Sequence, residues 1–215
     1  MALTYYFHPL SSFCWKALIA LYENNTPFTP HFLDLQDAQV RADFGKISPM
    51  LKMPALTDDG RAVWEASIVI EYLDTHYPGA TKFIPADREA ALEVRRMDRL
   101  LDLYLHEQMQ KIVGDRLRPA GAGDAFGVDA ARARIEQVYD YLEATLKPGA
   151  WAVGEAFTLA DCAAVPALFY ANVVQPIAGH AKVAAYFDRL KQRPSVARVI
   201  EEARPFFKFF PGDLS

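Results

Sequence analysis

Two adjacent serines, Ser11 and Ser12, stand where a predicted strand runs into a predicted helix. Residues 3–7 are rich in β-branched and aromatic types, and apolar residues recur at helical spacing from Phe13 onward. The first N–H groups of a helix have no partner within it and lie at the positive end of its dipole, so hydroxyls placed there can help to stabilise an anion. Serine is also a common helix cap, so capping and anion chemistry are both open for this pair.

The composition is typical of a globular chain. Its 215 residues are 52% hydrophobic and 23% charged, which is enough for one large or two small domains. The formal net charge is −4 and neither half has a basic excess, so no nucleic-acid partner is expected. No apolar run is long enough to span a membrane and no signal peptide is evident, so a cytoplasmic location is predicted. The two cysteines, Cys14 and Cys162, lie far apart and the histidines are scattered, so no metal site is expected.

Strands and helices alternate up to about residue 79. After the first helix, residues 28–33 form a second extended run, and a short irregular helix follows it. The Asp-Asp-Gly sequence at 58–60, between two short apolar runs, predicts a β-hairpin. A further helix starts near Glu65 and stops at the Tyr-Pro-Gly sequence at 77–79. The predicted order is therefore βαβαββα.

Everything after a short linker is predicted to be helical. Apolar periodicity indicates long helices over about 88–113 and 124–146. Thr158 and Asp161 have the spacing of a capping box, which starts another helix. The predicted organisation is an α/β domain over residues 1–79, a linker over 80–87 and an all-α domain over 88–215.

Five short motifs, in order and at matching spacing, closely resemble those of a soluble bacterial glutathione S-transferase of the serine type, similar to the theta and zeta classes. They are Ser11-Ser12-Phe13-Cys14, Met53-Pro54, Glu65-Ala66-Ser67 followed by Tyr72-Leu73, Gly154 with Thr158-x-Ala160-Asp161, and Arg193-Pro194-Ser195. The resemblance covers nearly the whole chain. It implies an α/β N-terminal thioredoxin-like domain, an all-α C-terminal domain, a homodimer, and glutathione as a co-substrate bound on the first domain.

The resemblance also implies roles for single residues around the glutathione thiol. Ser11 would be the catalytic residue, donating a hydrogen bond to the sulfur so that the thiolate is favoured. Ser12 is the expected helix cap and a further glutathione contact. Pro54 would follow a cis peptide bond, exposing the backbone of Met53 so that it can pair with the cysteinyl backbone of the tripeptide.

Further residues are implied at the two ends of the tripeptide. Glu65 would bind the γ-glutamyl ammonium and the N–H of Ala66 its carboxylate. Ala66 replaces the usual hydroxyl residue, so one hydrogen bond is missing unless Ser67 supplies it. Gln39 and Lys52 match positions that often hold the glycyl carboxylate, with a solvated side chain as the alternative for each.

A hydrophobic electrophile is expected to bind between the two domains, where pockets commonly form. The candidate lining residues are Leu10, Tyr104, His106, Met109, Gln110, Phe206 and Phe207. Simple packing against the N-terminal domain is the alternative for the aromatic tail.

Cys14 is expected to be a packed residue, because redox-active relatives carry their reactive cysteine at the position of Ser11.

Three functions remain open at this point. The first is a transferase in which the glutathione thiolate attacks an electrophilic carbon. The second is a glutathione-dependent isomerase of the maleylacetoacetate type, whose Ser-Ser-Cys-x-Trp turn is similar to this one, although Phe13 stands where its cysteine would be. The third is a non-catalytic binding protein, against which the retention of Ser11, Pro54 and Glu65 argues.

Overall fold

The structure, a computed structural model, describes residues 3–212 and residue 214. Its N-terminal part combines a sheet with three helices, and the predicted βαβαββα order is confirmed. The elements are β1 (Thr4–Phe7), α1 (Ser12–Glu23), β2 (Thr29–Phe32), α2 (Ala38–Gly45), β3 (Ala55–Asp58), β4 (Arg61–Trp64) and α3 (Ala66–His76).

The strands form one sheet in the order β2-β1-β3-β4. β1 is parallel to β2, so α1 crosses over between them, whereas β1 and β3 are antiparallel with Tyr6 opposite Ala55. Because β1 ends where β3 begins, the turn after β1 and the residues before β3 lie side by side. This register brings Ser11 to the same end of the sheet as Pro54.

The hairpin predicted from Asp-Asp-Gly is confirmed between β3 and β4. Asp59 and Gly60 have φ angles of 44° and 88°, and Asp58 pairs with Arg61 across the turn. Two successive positive φ angles are typical of the two-residue turns whose twist matches that of the strands. β4 then leads directly into the start of α3.

The second part is all helical, and its elements continue the numbering. They are α4 (Arg88–Leu100), a π-helical segment (Leu101–His106), α5 (Glu107–Arg116), α6 (Ala125–Thr145), α7 (Leu159–Val174), α8 (Ala181–Lys191), α9 (Pro194–Ala203) and a 3₁₀ segment (Arg204–Phe209). The long helix predicted over 88–113 is present, but its middle adopts π-helical hydrogen bonding. π segments are rare and are frequent at functional sites.

Polar contacts between the end of α1 and the start of α9 join the sheet domain to the helical domain. Glu23, at the end of α1, accepts hydrogen bonds from Arg193 Nε at 2.9 Å and from the Ser195 hydroxyl at 2.7 Å, where α9 begins. The predicted capping box at the start of α7 is present, with the Thr158 N–H donating to Asp161 at 2.9 Å. These polar contacts explain two motifs as folding elements.

A continuous apolar core joins the sheet domain to the helical domain. α7 is buried along nearly its whole length and packs against α1 and the π-helical segment. Trp15 of α1 lies with its ring centroid 4.8 Å from that of Phe169 and 5.1 Å from that of Tyr170. The N-terminal end of α1 is therefore fixed against the helical domain. Among the residues described, no helix is both long and apolar enough to cross a membrane.

Candidate active site

Ser11 is the residue that precedes the first turn of α1. Its carbonyl accepts from the N–H groups of Cys14 and Trp15 at 2.9 and 3.2 Å, and its backbone is extended. The expectation that Ser12 is the cap is therefore wrong, because Ser11 holds the N-cap position and Ser12 is the first helical residue. Within the described residues the Ser11 side chain makes no capping bond to the helix. This half-buried hydroxyl faces a cleft at the positive end of the helix dipole.

Ser12 points into the protein instead of the cleft. Its hydroxyl lies 2.5 Å from Nε2 of His106 and 3.4 Å from Nε2 of Gln110, and only 6% of the residue is exposed. The structure thus corrects the sequence-based choice of Ser12 as a glutathione contact. Its hydroxyl joins α1 to the π-helical segment, a partner 94 positions away that a local motif cannot reveal.

One cleft of about 450 Å³ gathers most of the residues predicted to bind glutathione. It lies where the N-terminal ends of α1 and α3 meet the loop before β3. Ser11, Lys52, Met53, Pro54, Glu65 and Ala66 all line it. Gln39 does not, because it lies exposed on α2 and donates to Asp43 at 2.9 Å. The structure therefore brings six of the predicted positions together and leaves Gln39 outside.

The loop before β3 places the Met53 backbone at the edge of the cleft. The Met53–Pro54 peptide bond is cis, as the sequence predicts. The Ser48 hydroxyl donates to the carbonyl of Lys52 at 2.8 Å, which fixes the loop just before Met53. Met53 lies beyond the paired residues of β1 and β3, and its side chain is half-buried. An extended peptide placed along this edge could continue the sheet.

The start of α3 is the second helix terminus in the cleft. Glu65 holds its N-cap position with φ 72°, a left-handed conformation that is uncommon for a residue other than glycine. Its side chain is exposed and makes no capping bond within the described residues. Ala66, the first helical residue, also lines the cleft. The first N–H groups of a helix have no partner within it, so this terminus suits a carboxylate.

Ser67 cannot supply the hydroxyl that Ala66 lacks, because its side chain is already used. The Ser67 hydroxyl accepts from Lys16 Nζ at 2.8 Å and donates to Asp98 Oδ2 at 2.9 Å. It does not line the cleft. Here the structure corrects the sequence-based choice of Ser67 as a ligand contact and shows that it belongs to a buried group of charged residues.

This group, the Lys16 cluster, comprises Lys16, Ser67, Asp98 and Asp102. The Lys16 side chain is 0% exposed, pairs with Asp98 and lies 2.7 Å from Asp102 Oδ2. Burial raises the pKa of Asp102, and Asp98 raises it further, whereas Lys16 lowers it. One buried ammonium faces two carboxyl groups, and Asp102 also lines the cleft.

The charge balance of the Lys16 cluster leaves room for a further cation. Arg99 reaches Asp102 only at 3.5 Å, with 54% of its side chain exposed. Oδ1 of Asp102 is buried and has no hydrogen-bond partner among the residues described. Sequence reasoning missed the cluster, although one signal was available. Lys16 is the single charged residue in an otherwise apolar stretch of α1, and such a lysine is buried only when it is paired.

The residues predicted to hold an electrophile are not brought together. Of the seven, only Gln110 lines the cleft. His106 and Met109 are buried, and burial, with a contribution from Lys16, lowers the pKa of His106 to about 3, so its ring is neutral. Tyr104 is half exposed, with its ring centroid 6.0 Å from the guanidinium of Arg134.

Leu10 and the aromatic tail pack instead of lining the cleft. Leu10 packs against the core, and its carbonyl accepts from the Tyr170 hydroxyl at 3.1 Å. Phe206 lies with its ring centroid 5.9 Å from that of His8, and Phe207 lies 5.8 Å from Phe169. Phe206 matches the simpler alternative for the tail, packing against the N-terminal domain, whereas Phe207 packs against the helical domain.

The wall that the helical domain presents to the cleft is polar. It consists of Arg99, Asp102, Glu107 and Gln110, of which only Gln110 was predicted. The steps of three from Arg99 to Asp102 and from Glu107 to Gln110 are helical neighbours, but the step of five from Asp102 to Glu107 crosses the wider turn of the π-helical segment. The sequence alone therefore could not group these four residues. Phe13 and Trp64 are the aromatic residues of the cleft, and Phe13 stacks on His106 at 3.9 Å.

Neither cysteine is placed for thiol chemistry. Cys14 and Cys162 are both fully buried and unpaired. Burial raises the pKa of Cys14 to about 12, against the lowering effect of hydrogen bonds involving Ser11, His8 and Tyr5. Cys14 is thus a packed residue, as expected. In the described part of the chain, no cluster of histidine, cysteine or acidic side chains could hold a metal ion.

Comparison with known proteins agrees with the motifs. Family models described as the N-terminal and C-terminal domains of glutathione S-transferase match residues 6–81 and 125–189. A probable maleylacetoacetate isomerase of Caenorhabditis elegans is 28% identical over 164 residues, covering 75% of each chain. Glutathione S-transferase GstA of Escherichia coli O157:H7 is 26% identical over 186 residues, covering 83% of this chain and 88% of that one.

Solved structures share the fold across both domains. A Methylobacillus flagellatus glutathione S-transferase with glutathione bound superposes with a TM-score of 0.84 at 22% identity, covering 92% of this chain and 98% of the other. One from Methylobacterium radiotolerans, in complex with glutathione sulfonate, gives 0.80 at 26% identity, covering 93% and 95%. The two domain models together span well over half of the chain. The chain therefore belongs to the glutathione S-transferase family, whose enzymes use glutathione as a co-substrate, as the five motifs predict.

Proposed function

We propose that the protein binds glutathione in the cleft and activates its thiol as a thiolate for attack on an electrophilic carbon. The observation that carries this proposal is the convergence of Ser11, the Met53 backbone and the start of α3 on one cleft. The serine hydroxyl at a helix N-terminus can bind a thiol, and the unpaired backbone just before β3 can bind an extended peptide. The second helix N-terminus can bind a carboxylate.

The ends of glutathione are assigned by charge. The γ-glutamyl ammonium lies between Glu65 and Asp102, because both carboxyl groups line the cleft beside the start of α3. The γ-glutamyl carboxylate meets the N–H of Ala66 at the start of α3. Lys52, which is exposed and lines the cleft, takes the glycyl carboxylate.

Ser11 favours the thiolate because its hydroxyl bonds more strongly to an anion than to a thiol. A free thiol has a pKa of about 8.5, so lowering it by about two units requires ~2.7 kcal/mol. One charge-assisted hydrogen bond is worth about 1.5–3 kcal/mol, and the helix dipole adds up to ~1 kcal/mol. The proton leaves to solvent. The thiolate then forms the S–C bond as a leaving group departs with its electron pair, or as a double bond takes up a proton.

The second substrate is proposed to be polar rather than strongly hydrophobic. The predicted apolar residues do not face the cleft, whereas Arg99, Glu107 and Gln110 do. The alternative reaction is isomerisation through reversible addition of glutathione to a polar unsaturated acid. The similarity to a probable maleylacetoacetate isomerase favours it, and Phe13 at the position of that family's cysteine counts against it.

A homodimer, the domain boundaries and a cytoplasmic location remain proposals. Exposed apolar side chains on α3, α4 and the π-helical segment support a two-fold contact, namely Ile68, Leu92 and Tyr104. The boundaries at 79 and 88 are supported by residues 77–87, which contain no helix or strand. The proposed interface involves the long helices near 88–113 and 124–146.

Titration calorimetry with glutathione tests the proposed site. Glu65→Gln should weaken binding by about tenfold, because it removes one charged acceptor for the ammonium. Gln39→Ala is the matched control, since Gln39 was a candidate from sequence but lies outside the cleft, and it should leave the affinity unchanged. No heat with millimolar glutathione in the wild type would refute the proposed function.

A further inference from the structure

His8 makes two hydrogen bonds inside the turn that carries Ser11. Its carbonyl accepts from the Ser11 N–H at 2.9 Å, and its ring atom Nδ1 accepts from the Leu10 N–H at 3.1 Å. An acceptor at Nδ1 requires the neutral ring with its proton on Nε2. His8 therefore restrains Leu10 through its ring and Ser11 through its backbone carbonyl.

The other side chains that hold this turn do not titrate near neutral pH. Trp15 Nε1 donates to the Pro9 carbonyl at 2.6 Å, and the Tyr170 hydroxyl donates to the Leu10 carbonyl at 3.1 Å. An indole keeps its proton, and burial raises the pKa of Tyr170 above its ordinary value. The Cys14 thiol also makes hydrogen bonds involving His8 and Ser11, but burial raises its pKa to about 12. Of these four side chains, only His8 can change its protonation in the range where a histidine titrates.

The surroundings of the His8 ring favour the neutral form. The ring is half-buried, with its centroid 5.0 Å from that of Phe32 on β2 and 5.9 Å from that of Phe206 on the 3₁₀ segment. Burial lowers the pKa of His8, although the nearby carboxylate of Asp34 acts to raise it. Protonation would put a hydrogen on Nδ1, so that two donors, this N–H and that of Leu10, would face each other.

We propose that neutral His8 is a positioning residue, which holds the backbone of Leu10 so that the Ser11 hydroxyl is aimed at the glutathione sulfur. This inference rests on the proposed role of Ser11. It adds a link between pH and catalysis. As the pH falls through the pKa of His8, the Leu10 bond is lost, the Ser11 hydroxyl is no longer held, and the thiolate loses its donor.

The test compares His8→Phe, His8→Asn and His31→Asn. Phenylalanine keeps the ring packing but lacks the acceptor, whereas the Oδ1 of asparagine can accept from the Leu10 N–H and does not titrate. His31, exposed on β2 with its ring near Tyr6, is the control. The readout is the thiolate absorbance near 240 nm of the glutathione complex as the pH is varied. H8F should raise the pKa of the bound thiol by roughly 0.5–1 unit. H8N and H31N should keep the wild-type value at neutral pH.

A second comparison serves if H8F does not fold. Below about pH 6, the wild-type thiolate signal should fall more steeply than that of H8N, because only the wild type protonates the histidine. Superimposable curves would overturn the proposal. An unchanged thiol pKa in H8F, with a raised pKa in Ser11→Ala, would also overturn it while leaving the proposed function intact. No change in either variant would instead remove the proposed role of Ser11, and the His8 inference with it.

Discussion

Replacing Lys16 by methionine should be among the most destabilising single changes in this chain. The Lys16 side chain is fully buried, and its ammonium binds Asp98, Asp102 and the Ser67 hydroxyl. Methionine fills a similar volume but leaves two buried carboxyl groups without their cation. Breaking a buried ion pair by removing one partner costs about 3–5 kcal/mol, so K16M should lose a free energy of unfolding of this size.

Urea unfolding at pH 7 measures this loss, with Lys46→Met as the control. Lys46 also pairs with an aspartate, Asp43, but its side chain is 76% exposed, so K46M should change stability little. A triple variant with Asp98→Asn and Asp102→Asn added to K16M should recover most of the loss, because the uncompensated charges are gone. A loss of less than about 1 kcal/mol in K16M would contradict this reasoning.

The pH dependence of the K16M defect has a defined sign. Burial already holds the pKa of Asp102 above its ordinary value, so the folded state binds this proton more tightly than the unfolded state. A carboxyl group of this kind opposes folding as the pH rises through its folded pKa. Without Lys16 the pKa rises further. The difference in stability between K16M and the wild type should therefore shrink as the pH is lowered toward 4, the region of an ordinary carboxyl pKa, about 3.9.

Three further predictions follow from contacts described above. Glu23→Gln should cost roughly 1–2 kcal/mol at pH 7, because Arg193 and Ser195 lose a charged acceptor. Burial raises the pKa of Glu23 but these bonds lower it overall, so unfolding curves should show that the wild type loses more stability in acid than E23Q. Cys14 should resist alkylation at pH 8 until the protein is unfolded, since burial raises its pKa to about 12; rapid labelling of the native protein, detected by mass spectrometry, would contradict this. Light scattering should give twice the mass of one chain, and the mass of a single chain would exclude the dimer.

Signals within a few residues of one another predicted most of the fold. The hairpin at 58–60, the capping box at Thr158 and the strand-to-helix turn before Ser11 each depend on neighbours in sequence, and the structure contains all three. The π-helical segment could not be predicted in this way, because no residue pattern marks the change from i→i+4 to i→i+5 bonds.

The sequence predicted those site residues whose position depends on the backbone. It was less successful for residues whose role depends on the direction of the side chain. Met53, Pro54 and Glu65 are placed by loop and helix ends, and all three line the cleft. Ser12 and Ser67 each follow a residue that lines the cleft, Ser11 and Ala66. Their own hydroxyls instead form hydrogen bonds with His106 and Asp98 of the helical domain. These partners are 94 and 31 positions away, so the sequence around each serine does not reveal them.

The electrophile residues were misplaced for a related reason. Tyr104, His106 and Met109 lie in one stretch of helix, and which of its faces meets the cleft depends on the turn geometry. The π-helical segment, Leu101–His106, has a wider turn than an α-helix, so it rotates the residues that follow it to a different face of the helix. The structure turns His106 and Met109 into the core and leaves Gln110 at the cleft.

The most direct test of the account is the thiol pKa of bound glutathione in the wild type, Ser11→Ala and Ser12→Ala. It is read from the thiolate absorbance near 240 nm as the pH is varied, with affinity measured in parallel. S11A should raise this pKa by roughly one to two units, since one charge-assisted hydrogen bond is worth ~1.5–3 kcal/mol, while the affinity for glutathione changes little. S12A should leave the pKa nearer the wild-type value, because the Ser12 hydroxyl faces His106 instead of the cleft. A larger shift in S12A than in S11A, or no shift in either, would contradict the assignment of Ser11 as the thiolate donor.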